Sequence, residues 1–412
     1  MNPSGFLAKR RHRQLAALPG VRAIRRPVTP DAEDRFDLHY VRTGPAGGTP
    51  LVIIPGGPGM ASIAAYQGIR KRAAAGGHAV IMVEHRGVGM SRRDDSGADL
   101  PPEALTIAQV VDDVAAVLDD AGVDFAAVYG ASYGTYLAAG FGVRHPNRVR
   151  AMVLDSPLLS RDDFEVVRSE ARALLWHADT DLAAKIRALT EAGVLVPEDL
   201  TVAAVVYGVG GPDLLERHLD LLLDGRRALW TGMRWAVVGA ARRKVPYRNE
   251  FDLIGAMGFR ELNFAGTPDG QPLDTTLTWR GVPASQTPFE GEPFDLVAEM
   301  PGFRWPTVVV SGGRDLITPA AVADRIAGLV PTPIRIQLPT AGHSILDSRQ
   351  NVALRIIADV AQGRPEALAG QEAALESLPE GTSARMAGTA LAGAARLAAA
   401  LPRTGRPGTA TS

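Results

Sequence analysis

A series of short, almost uninterrupted apolar runs constrains the fold of this chain more than any other feature of its sequence. The runs cover residues 51–54, 79–83, 126–129, 151–154, 307–310 and 334–338, and an alternating apolar and polar stretch at 36–41 precedes them. Apolar runs of this length suit strands that are buried on both faces, as in a parallel sheet with helices on either side. The sequence therefore predicts an α/β fold with a mostly parallel sheet.

One helix is clearly marked between the runs at 79–83 and 126–129. Thr106 and Gln109 have the spacing of a capping box at a helix N-terminus. The apolar residues that follow recur at helical spacing: Ile107, Val110, Val111, Val114, Val117 and Leu118. Gly122 is placed to end this helix.

The alternation of strand and helix is interrupted by a long insertion. It stops near Ser160 and resumes near Trp305, and about 140 residues are too many for a simple connection. Helical patterns occupy 164–192, 213–223 and 229–241, whereas 246–301 is rich in Gly and Pro. We predict a core of residues 1–160 and 303–365, an inserted, mainly helical cap at 161–302, and an Ala/Gly/Pro-rich C-terminal tail at 366–412, whose last ten residues we expect to be disordered.

Composition and charge exclude several kinds of protein. Without cysteine, the chain cannot form a disulfide, a thiolate metal site or a cysteine nucleophile. Its 44 basic and 45 acidic residues give a formal net charge of −1, which argues against a nucleic-acid or membrane-surface binder. The sequence contains no run of about 18 apolar residues, the length that a membrane span requires. No apolar run of signal-peptide length follows the basic stretch at 9–13, so we expect a cytoplasmic protein.

The strongest local signal is the pentapeptide Gly130-Ala131-Ser132-Tyr133-Gly134, which directly follows an apolar run and precedes a helical pattern. A serine on so tight a strand-to-helix turn needs small neighbours, and the turn exposes its hydroxyl at the edge of the sheet. The same turn aims the next amide, that of Tyr133, at a developing negative charge. Ser132 is therefore the candidate nucleophile.

A nucleophilic serine needs a base and an acid, and these are expected on later strands in the order Ser, acid, His. Of the eight histidines, His343 alone follows the last predicted strand in a short loop. Asp315 follows the run at 307–310 and is the favoured acid, because Gly312 and Gly313 allow the chain to turn its carboxylate inward. Asp155, at the end of the preceding strand, is the rival.

A second oxyanion donor is expected in the loop after an earlier strand. Residues 55–59, Pro-Gly-Gly-Pro-Gly, follow the run at 51–54 directly, and consecutive glycines let backbone N–H groups approach a substrate oxygen closely. The amide of Gly57 is our first choice for this donor and that of Gly56 the second. In the next turn, 84–91, Arg86 is expected to bond neighbouring loop carbonyls or carboxylates.

Together these residues resemble a known family. The glycine loop at 56–59, the turn at 86–91, the pentapeptide at 130–134, Asp315 and His343 look like the proline iminopeptidase and tripeptidyl aminopeptidase branch of the α/β-hydrolase superfamily. The resemblance covers 36–159 and 305–360. It implies the α/β-hydrolase fold, a sheet of about eight strands with a helical cap inserted after the sixth, and serine-dependent removal of residues from free peptide N-termini.

Three positions depart from the iminopeptidase pattern. Pro55 stands where that pattern has His, Glu84-His85 where it has Asp-Gln, and Tyr133 where it has Trp. These departures leave the predicted triad intact but weaken the case for proline specificity. Members of this branch typically recognise the substrate amine with carboxylates of the cap, so Glu261 is a candidate for that role. The alternative interpretation of Glu261 is a solvated surface residue.

Three hypotheses of function follow. The first is a serine aminopeptidase that acts through an acyl-enzyme, without metal or cofactor, on a peptide or small acyl substrate. The second is a carboxylesterase or lipase of the same fold, which would use the same triad. The third is a catalytically silent hydrolase-fold binding protein, which is disfavoured because all three catalytic residue types are present. Neither a nucleic acid nor a membrane is an expected partner, and the oligomeric state is left open.

Overall fold

All the strands predicted from apolar runs lie in one eight-stranded sheet of the computed structural model, which describes residues 3–242, 244–279 and 281–400. The strands are β1 Val21–Pro27, β2 Arg35–Thr43, β3 Leu51–Ile54, β4 Val80–Val83, β5 Ala126–Ala131, β6 Val149–Asp155, β7 Thr307–Gly312 and β8 Pro333–Leu338. Their order in the sheet is β1-β2-β4-β3-β5-β6-β7-β8. The pairs β1–β2 and β2–β4 are antiparallel and the other five pairs are parallel, as predicted for a mostly parallel sheet.

Strand β1 was not expected from its sequence. It lies at the edge of the sheet and pairs only with β2, and its side chains are exposed or half-buried. Three of its seven residues are arginines, which suit a solvated edge strand and discourage pairing with another chain. An edge strand of this kind has no apolar run to mark it.

Helices cover both faces of the sheet. The helices of the core are α1 Pro3–Ala16, α2 Ser62–Ala65, α3 Gln67–Ala75, α4 Ile107–Asp120, α5 Tyr133–Arg144, α12 Ala320–Leu329, α13 Ile345–Ser348, α14 Gln350–Ala361 and α15 Glu372–Glu376. Val110, Leu137 and Ile326, from α4, α5 and α12, pack in the apolar core on one face. Ile69 and Ile356, from α3 and α14, pack on the other face. The central strands are therefore buried on both sides, which explains their continuous apolar character.

The predicted capping box of helix α4 is confirmed in one of its two hydrogen bonds. Thr106 Oγ1 accepts a hydrogen bond from the Gln109 N–H over 3.3 Å, and Gly122 follows the helix with φ of 64°. The Gln109 side chain does not return to the backbone of Thr106. It bonds the Glu103 carbonyl and accepts from Arg86, so only half of the capping box forms.

Among the described residues, six α-helices lie between β6 and β7, where the insertion was predicted: α6 Asp163–Arg172, α7 Asp181–Glu191, α8 Asp199–Leu223, α9 Ala228–Arg242, α10 Phe251–Leu262 and α11 Leu296–Glu299. Helices α7, α8 and α9 share an apolar core of their own, which contains Ile186, Leu215 and Trp230. Helix α10 falls in the segment where no periodic pattern was recognised. It is hard to see in the sequence because it is buried on several sides and contains two glycines against which Phe251 and Phe264 pack.

The C-terminal segment also contains ordered helices. Helix α16, Thr382–Ala400, packs through Leu391 and Ala392 on the apolar core that α8 shares with its neighbours, and Ala395 is buried. Residues 401–412, which include the ten predicted to be disordered, lie outside the described residues. Within the described ranges, no helix combines the length and the apolar character that a membrane crossing requires.

Candidate active site

Ser132 lies on a sharp turn between β5 and α5, the local structure predicted for it. Its backbone is strained, with φ of 51° and ψ of −125°. The flanking glycines are required by close approach of the main chain. A Cβ at Gly130 would lie 2.3 Å from the Gly134 carbonyl oxygen, and a Cβ at Gly134 would lie 2.2 Å from the carbonyl oxygen of Ile54 in the neighbouring strand. The small residues of the pentapeptide therefore let the turn fit between β3 and α5.

His343 lies in the loop after β8 and faces the serine. Its Nε2 atom is 2.9 Å from Ser132 Oγ, within hydrogen-bonding distance. The two residues are 211 positions apart in the chain. The following residue, Ser344, has φ of 57°, a left-handed conformation that turns the chain sharply from this loop into α13.

Asp315 completes a row of hydrogen-bonded side chains. Its Oδ2 atom is 2.9 Å from His343 Nδ1, and the carboxylate is almost fully buried. Asp315 Oδ1 accepts the N–H groups of Ile317 and Thr318, each over 2.9 Å, while the Thr318 hydroxyl donates to Oδ2. The carboxylate is therefore fixed on one side by its own loop and points its remaining oxygen at the imidazole.

Charge and burial shift the pKa values of this pair in opposite directions. Burial alone would raise the pKa of Asp315, but the neighbouring His343 and the hydrogen bonds outweigh it and lower that pKa. Burial alone would lower the pKa of His343, but the Asp315 carboxylate outweighs it and raises that pKa above 6.5. The arrangement thus favours a charged imidazolium beside a charged carboxylate.

The rival acid, Asp155, makes no hydrogen bond to the imidazole. Its carboxylate oxygens accept the N–H groups of Ile345 and Leu346, each over 2.9 Å, and the Tyr129 hydroxyl donates to it as well. Burial raises the pKa of Asp155 to about 6, against these hydrogen bonds. The structure therefore brings Asp315, and not Asp155, to the histidine.

The glycine loop after β3 lies against the serine. A Cβ at Gly56 would be 3.1 Å from Ser132 Cβ and 3.7 Å from Ser132 Oγ. Gly57 has φ of 134°, and a Cβ there would meet the Gly59 backbone nitrogen at 2.7 Å. Gly56, the second candidate for the oxyanion donor, is thus the glycine that lies against the serine. The first candidate, Gly57, is the next residue in the chain. Tyr133 begins α5, where the first N–H groups of a helix have no partner within the helix.

The turn after β4 stabilises the surrounding loops, as expected for Arg86. This side chain is fully buried and makes two hydrogen bonds to Asp113, of 2.7 and 2.8 Å. It also donates to the carbonyls of Val28 and Ala104. Glu84, at the start of the turn, accepts the N–H groups of Ile63 and, more distantly, Met90, and burial raises its pKa to about 7.

Glu261, the candidate for binding a substrate amine, is held by partners within the protein. It is 7% exposed, so it is not a solvated surface residue. Its Oε2 atom accepts the N–H of Ile107 over 2.9 Å at the start of α4, and its Oε1 atom accepts from Arg260 over 2.7 Å. Both carboxylate oxygens therefore have partners within the protein, and an acidic group at a helix N-terminus is stabilising.

A kink in helix α8 brings the inserted helices into contact with the site, which the sequence did not reveal. Gly211 has φ of 70° and precedes Pro212. A Cβ at Gly211 would lie only 2.9 Å from the guanidinium carbon of Arg314. Near the kink, a Cβ at Gly342 would lie 2.7 Å from the carbonyl oxygen of Gly208. The glycines of α8 therefore pack directly on the loops that carry Asp315 and His343.

Two further residues near the site were not singled out from the sequence. Thr318 bonds the Asp315 carboxylate through both its N–H and its hydroxyl, and the Ser156 hydroxyl accepts the N–H of Ser344 over 2.9 Å. The first had a weak local signal, since an aspartate in a loop commonly bonds backbone N–H groups a few residues further on. Among the described residues, no group of three or more His, Asp or Glu side chains is arranged to hold a metal ion.

Comparison with known proteins places this architecture among hydrolases. A family model described as the α/β hydrolase fold matches residues 49–193. A proline iminopeptidase from Heyndrickxia coagulans is 26% identical over 176 residues, which are 43% of this chain and 57% of that protein. A protein from Azorhizobium caulinodans that is named as a carbamate hydrolase is 32% identical over 128 residues, 31% of this chain and 44% of that protein. The chain therefore matches about half the length of these curated relatives.

A solved structure agrees in fold over a larger part of the chain. The crystal structure of proline iminopeptidase from Mycobacterium smegmatis superimposes with a TM-score of 0.52 and 18% sequence identity, covering 84% of this chain and 99% of that one. At this identity the likeness concerns the fold alone. The sheet order, the strand-to-helix serine turn and these comparisons show that the chain has the α/β-hydrolase fold, and in sequence it is similar to the proline iminopeptidases.

Proposed function

We propose that this protein is a serine hydrolase in which Ser132 is the nucleophile, His343 the general base and Asp315 the acid that orients it. One observation carries the proposal: an unbroken row of hydrogen bonds runs from Ser132 Oγ through both ring nitrogens of His343 to Asp315, with 2.9 Å at each step. A nucleophile, a base within hydrogen-bonding reach and a third group that orients the base are the arrangement that activates a serine hydroxyl.

The proposed reaction proceeds through an acyl-enzyme. Ser132 Oγ attacks the carbonyl carbon of the substrate while His343 Nε2 accepts the hydroxyl proton. Asp315 accepts the Nδ1–H of the imidazole and stabilises the imidazolium, in keeping with the raised pKa of His343. The imidazolium then protonates the leaving group, and water attacks the acyl-enzyme with the same histidine as base.

The amides of Gly57 and Tyr133 are the proposed oxyanion donors, with Gly56 as the alternative to Gly57. The close contact between Gly56 and Ser132 supports a position of this loop beside the attacked carbonyl. Tyr133 directly follows the serine at the first turn of α5, where free N–H groups and the helix dipole favour negative charge. Loss of one such donor costs on the order of 100-fold or more in turnover.

For the substrate, we propose a peptide or aminoacyl compound with a free amine, which makes the protein an aminopeptidase. The names of relatives that are 26% identical support this assignment. So does the kinked helix α8 beside the catalytic loops, because inserted helices over the site restrict which part of a peptide can reach Ser132. Glu261 is not part of this proposal, since its carboxylate is bonded within the protein.

Hydrolysis of an ester or carbamate is the second candidate. The partners of Glu261 favour it, because they remove the carboxylate that we expected to bind a substrate amine. The match to a protein named as a carbamate hydrolase also supports it. The same three side chains would carry out this reaction, so the substrate and not the triad distinguishes the candidates.

Two experiments test these proposals. A fluorophosphonate probe should label the wild-type protein and the control Ser96→Ala, which alters an exposed serine, but not Ser132→Ala. Undiminished labelling of Ser132→Ala would disprove the assignment of the nucleophile. Aminoacyl and peptidyl anilides are then compared with their N-acylated forms. An aminopeptidase should lose activity when the amine is blocked, whereas equal rates would favour the ester or carbamate hydrolase.

A further inference from the structure

Asp155 is hydrogen-bonded to the backbone of the proposed nucleophile, Ser132, and to the backbone of the loop that carries the proposed base, His343. It is the last residue of β6 and is fully buried. Its backbone carbonyl accepts the N–H of Ser132 over 2.8 Å, at the strained residue of the serine turn. The main chain of Asp155 therefore holds the serine turn in place.

The side chain of Asp155 holds the loop of the histidine. The backbone N–H groups of the three residues after His343 donate hydrogen bonds to two side chains, that of Asp155 at the end of β6 and that of the next residue, Ser156. Ser344 N–H donates to Ser156 Oγ, while the N–H groups of Ile345 and Leu346 donate to the two carboxylate oxygens of Asp155, each over 2.9 Å. These bonds fix where the loop begins its turn into α13, directly after His343.

We propose that Asp155 is a positioning residue that sets the separation between Ser132 Oγ and His343 Nε2. The inference rests on the proposed function, in which these two atoms exchange a proton. Asp155 has no hydrogen bond to the imidazole, so it acts through the backbone of both partners and not as a second acid. Because the side chain is short and buried and all its oxygens are bonded, a shift of the histidine loop cannot occur without breaking at least one of these bonds.

The test is Asp155→Ala, which removes the two carboxylate acceptors but keeps the backbone carbonyl that bonds Ser132. The histidine loop should shift, and a misplacement of about 1 Å costs on the order of 10²-fold in rate. We expect this loss in kcat with KM close to that of the wild type, because no substrate contact is removed. The three carboxylates whose charge raises the pKa of His343 are those of Asp315, Asp155 and Asp347. Removing one of them should also move the acid limb of kcat/KM to lower pH.

Asp163→Ala is the matched control. Asp163 is also a buried aspartate whose carboxylate accepts two successive backbone N–H groups, those of Leu159 and Ser160, and burial raises its pKa to about 6. It should lower the urea midpoint of unfolding as Asp155→Ala does but leave kcat and the pH profile unchanged. An unchanged kcat and pH profile in Asp155→Ala, or an equal kcat loss in Asp163→Ala, would overturn the proposal.

Milder variants keep the proposal testable if Asp155→Ala does not fold. Asp155→Asn keeps one acceptor, the side-chain amide oxygen, and should give a kcat between those of the wild type and Asp155→Ala. Ser156→Ala removes the hydrogen bond from the Ser344 N–H and should lower kcat with KM unchanged. Wild-type kcat in both would overturn the inference. Ser132→Ala is assayed beside them: if it remains active, the proposed function itself has failed, whereas an inactive Ser132→Ala with fully active Asp155 variants refutes the positioning role alone.

Discussion

The substitution Asp315→Asn would test the proposed role of the acid most sharply, because the local hydrogen bonds dictate how the new side chain must sit. Two backbone N–H groups, of Ile317 and Thr318, donate to Oδ1. An asparagine must therefore place its carbonyl oxygen there. The opposite orientation would leave two buried N–H groups facing an NH₂ group, at roughly 1–3 kcal/mol for each unsatisfied group.

This orientation points the asparagine NH₂ at His343 Nδ1, 2.9 Å away in the wild-type protein. The NH₂ donates to Nδ1, so the neutral imidazole must carry its proton on Nε2 and can no longer accept the proton of Ser132. Turnover should fall by about 10⁴-fold, which corresponds to about 5 kcal/mol of transition-state stabilisation. The residual activity should have its acid limb at lower pH, because the largest of the charges that raise the pKa of His343 is gone and its burial remains.

The assay is kcat and kcat/KM against pH on the best anilide or ester substrate, with urea unfolding to verify that the variant is folded. Asp324→Asn, at an exposed aspartate paired with Arg335, is the control and should behave as the wild type. A turnover of Asp315→Asn within tenfold of the wild type would refute the tautomer argument and the assignment of the acid.

Three further outcomes are expected. In the wild type, kcat/KM should rise with pH through an apparent pKa above 6.5, since His343 must be neutral to act as base and its pKa is raised; a limb below 6.5 would contradict this. Glu261→Gln should lower the unfolding free energy by about 0.5–2 kcal/mol, because it weakens the charged bond to Ile107 at the start of α4, while KM for free-amine substrates stays unchanged; a raised KM would return Glu261 to substrate binding. The pKa of Glu84 is raised to about 7 from 4.5, so its ionisation costs stability as pH rises between these values, by up to about 3 kcal/mol. Glu84→Gln should remove that fall in urea unfolding measured at pH 5 and 8, and an unchanged pH dependence would show that Glu84 titrates normally.

The parts of the site that could be predicted are those with a local signal. Ser132 lies in a strand–turn–helix whose small residues form a recognisable pentapeptide. Asp315 follows the buried strand β7, and His343 follows the edge strand β8, each at the expected place in the chain. Parallel strands place such residues at one edge of the sheet, so their order along the chain was enough to bring them together.

The parts that could not be predicted depend on partners distant in sequence. Glu261 accepts a hydrogen bond from Ile107, 154 positions away, and no local sequence pattern at either residue predicts that contact. Asp155 ends β6 and Asp315 lies three residues after the neighbouring parallel strand β7, so both are plausible acids in the sequence. The hydrogen bonds of the loop after β8 show that Asp315 faces the imidazole and that Asp155 does not. Helix α10 lacks the exposed polar face that marks a surface helix in a sequence, because Asp252 is its one exposed residue.

The distance along the chain between Ser132 and His343 has a consequence for protein synthesis. Ribosomes add about 5–20 residues per second, so the 211 residues that separate the two side chains take roughly 10–40 s to make. During that interval a nascent chain presents the serine turn without the imidazole that would remove its proton. Under the proposed mechanism, the serine therefore has no base until β8 and the loop that carries His343 have emerged and docked.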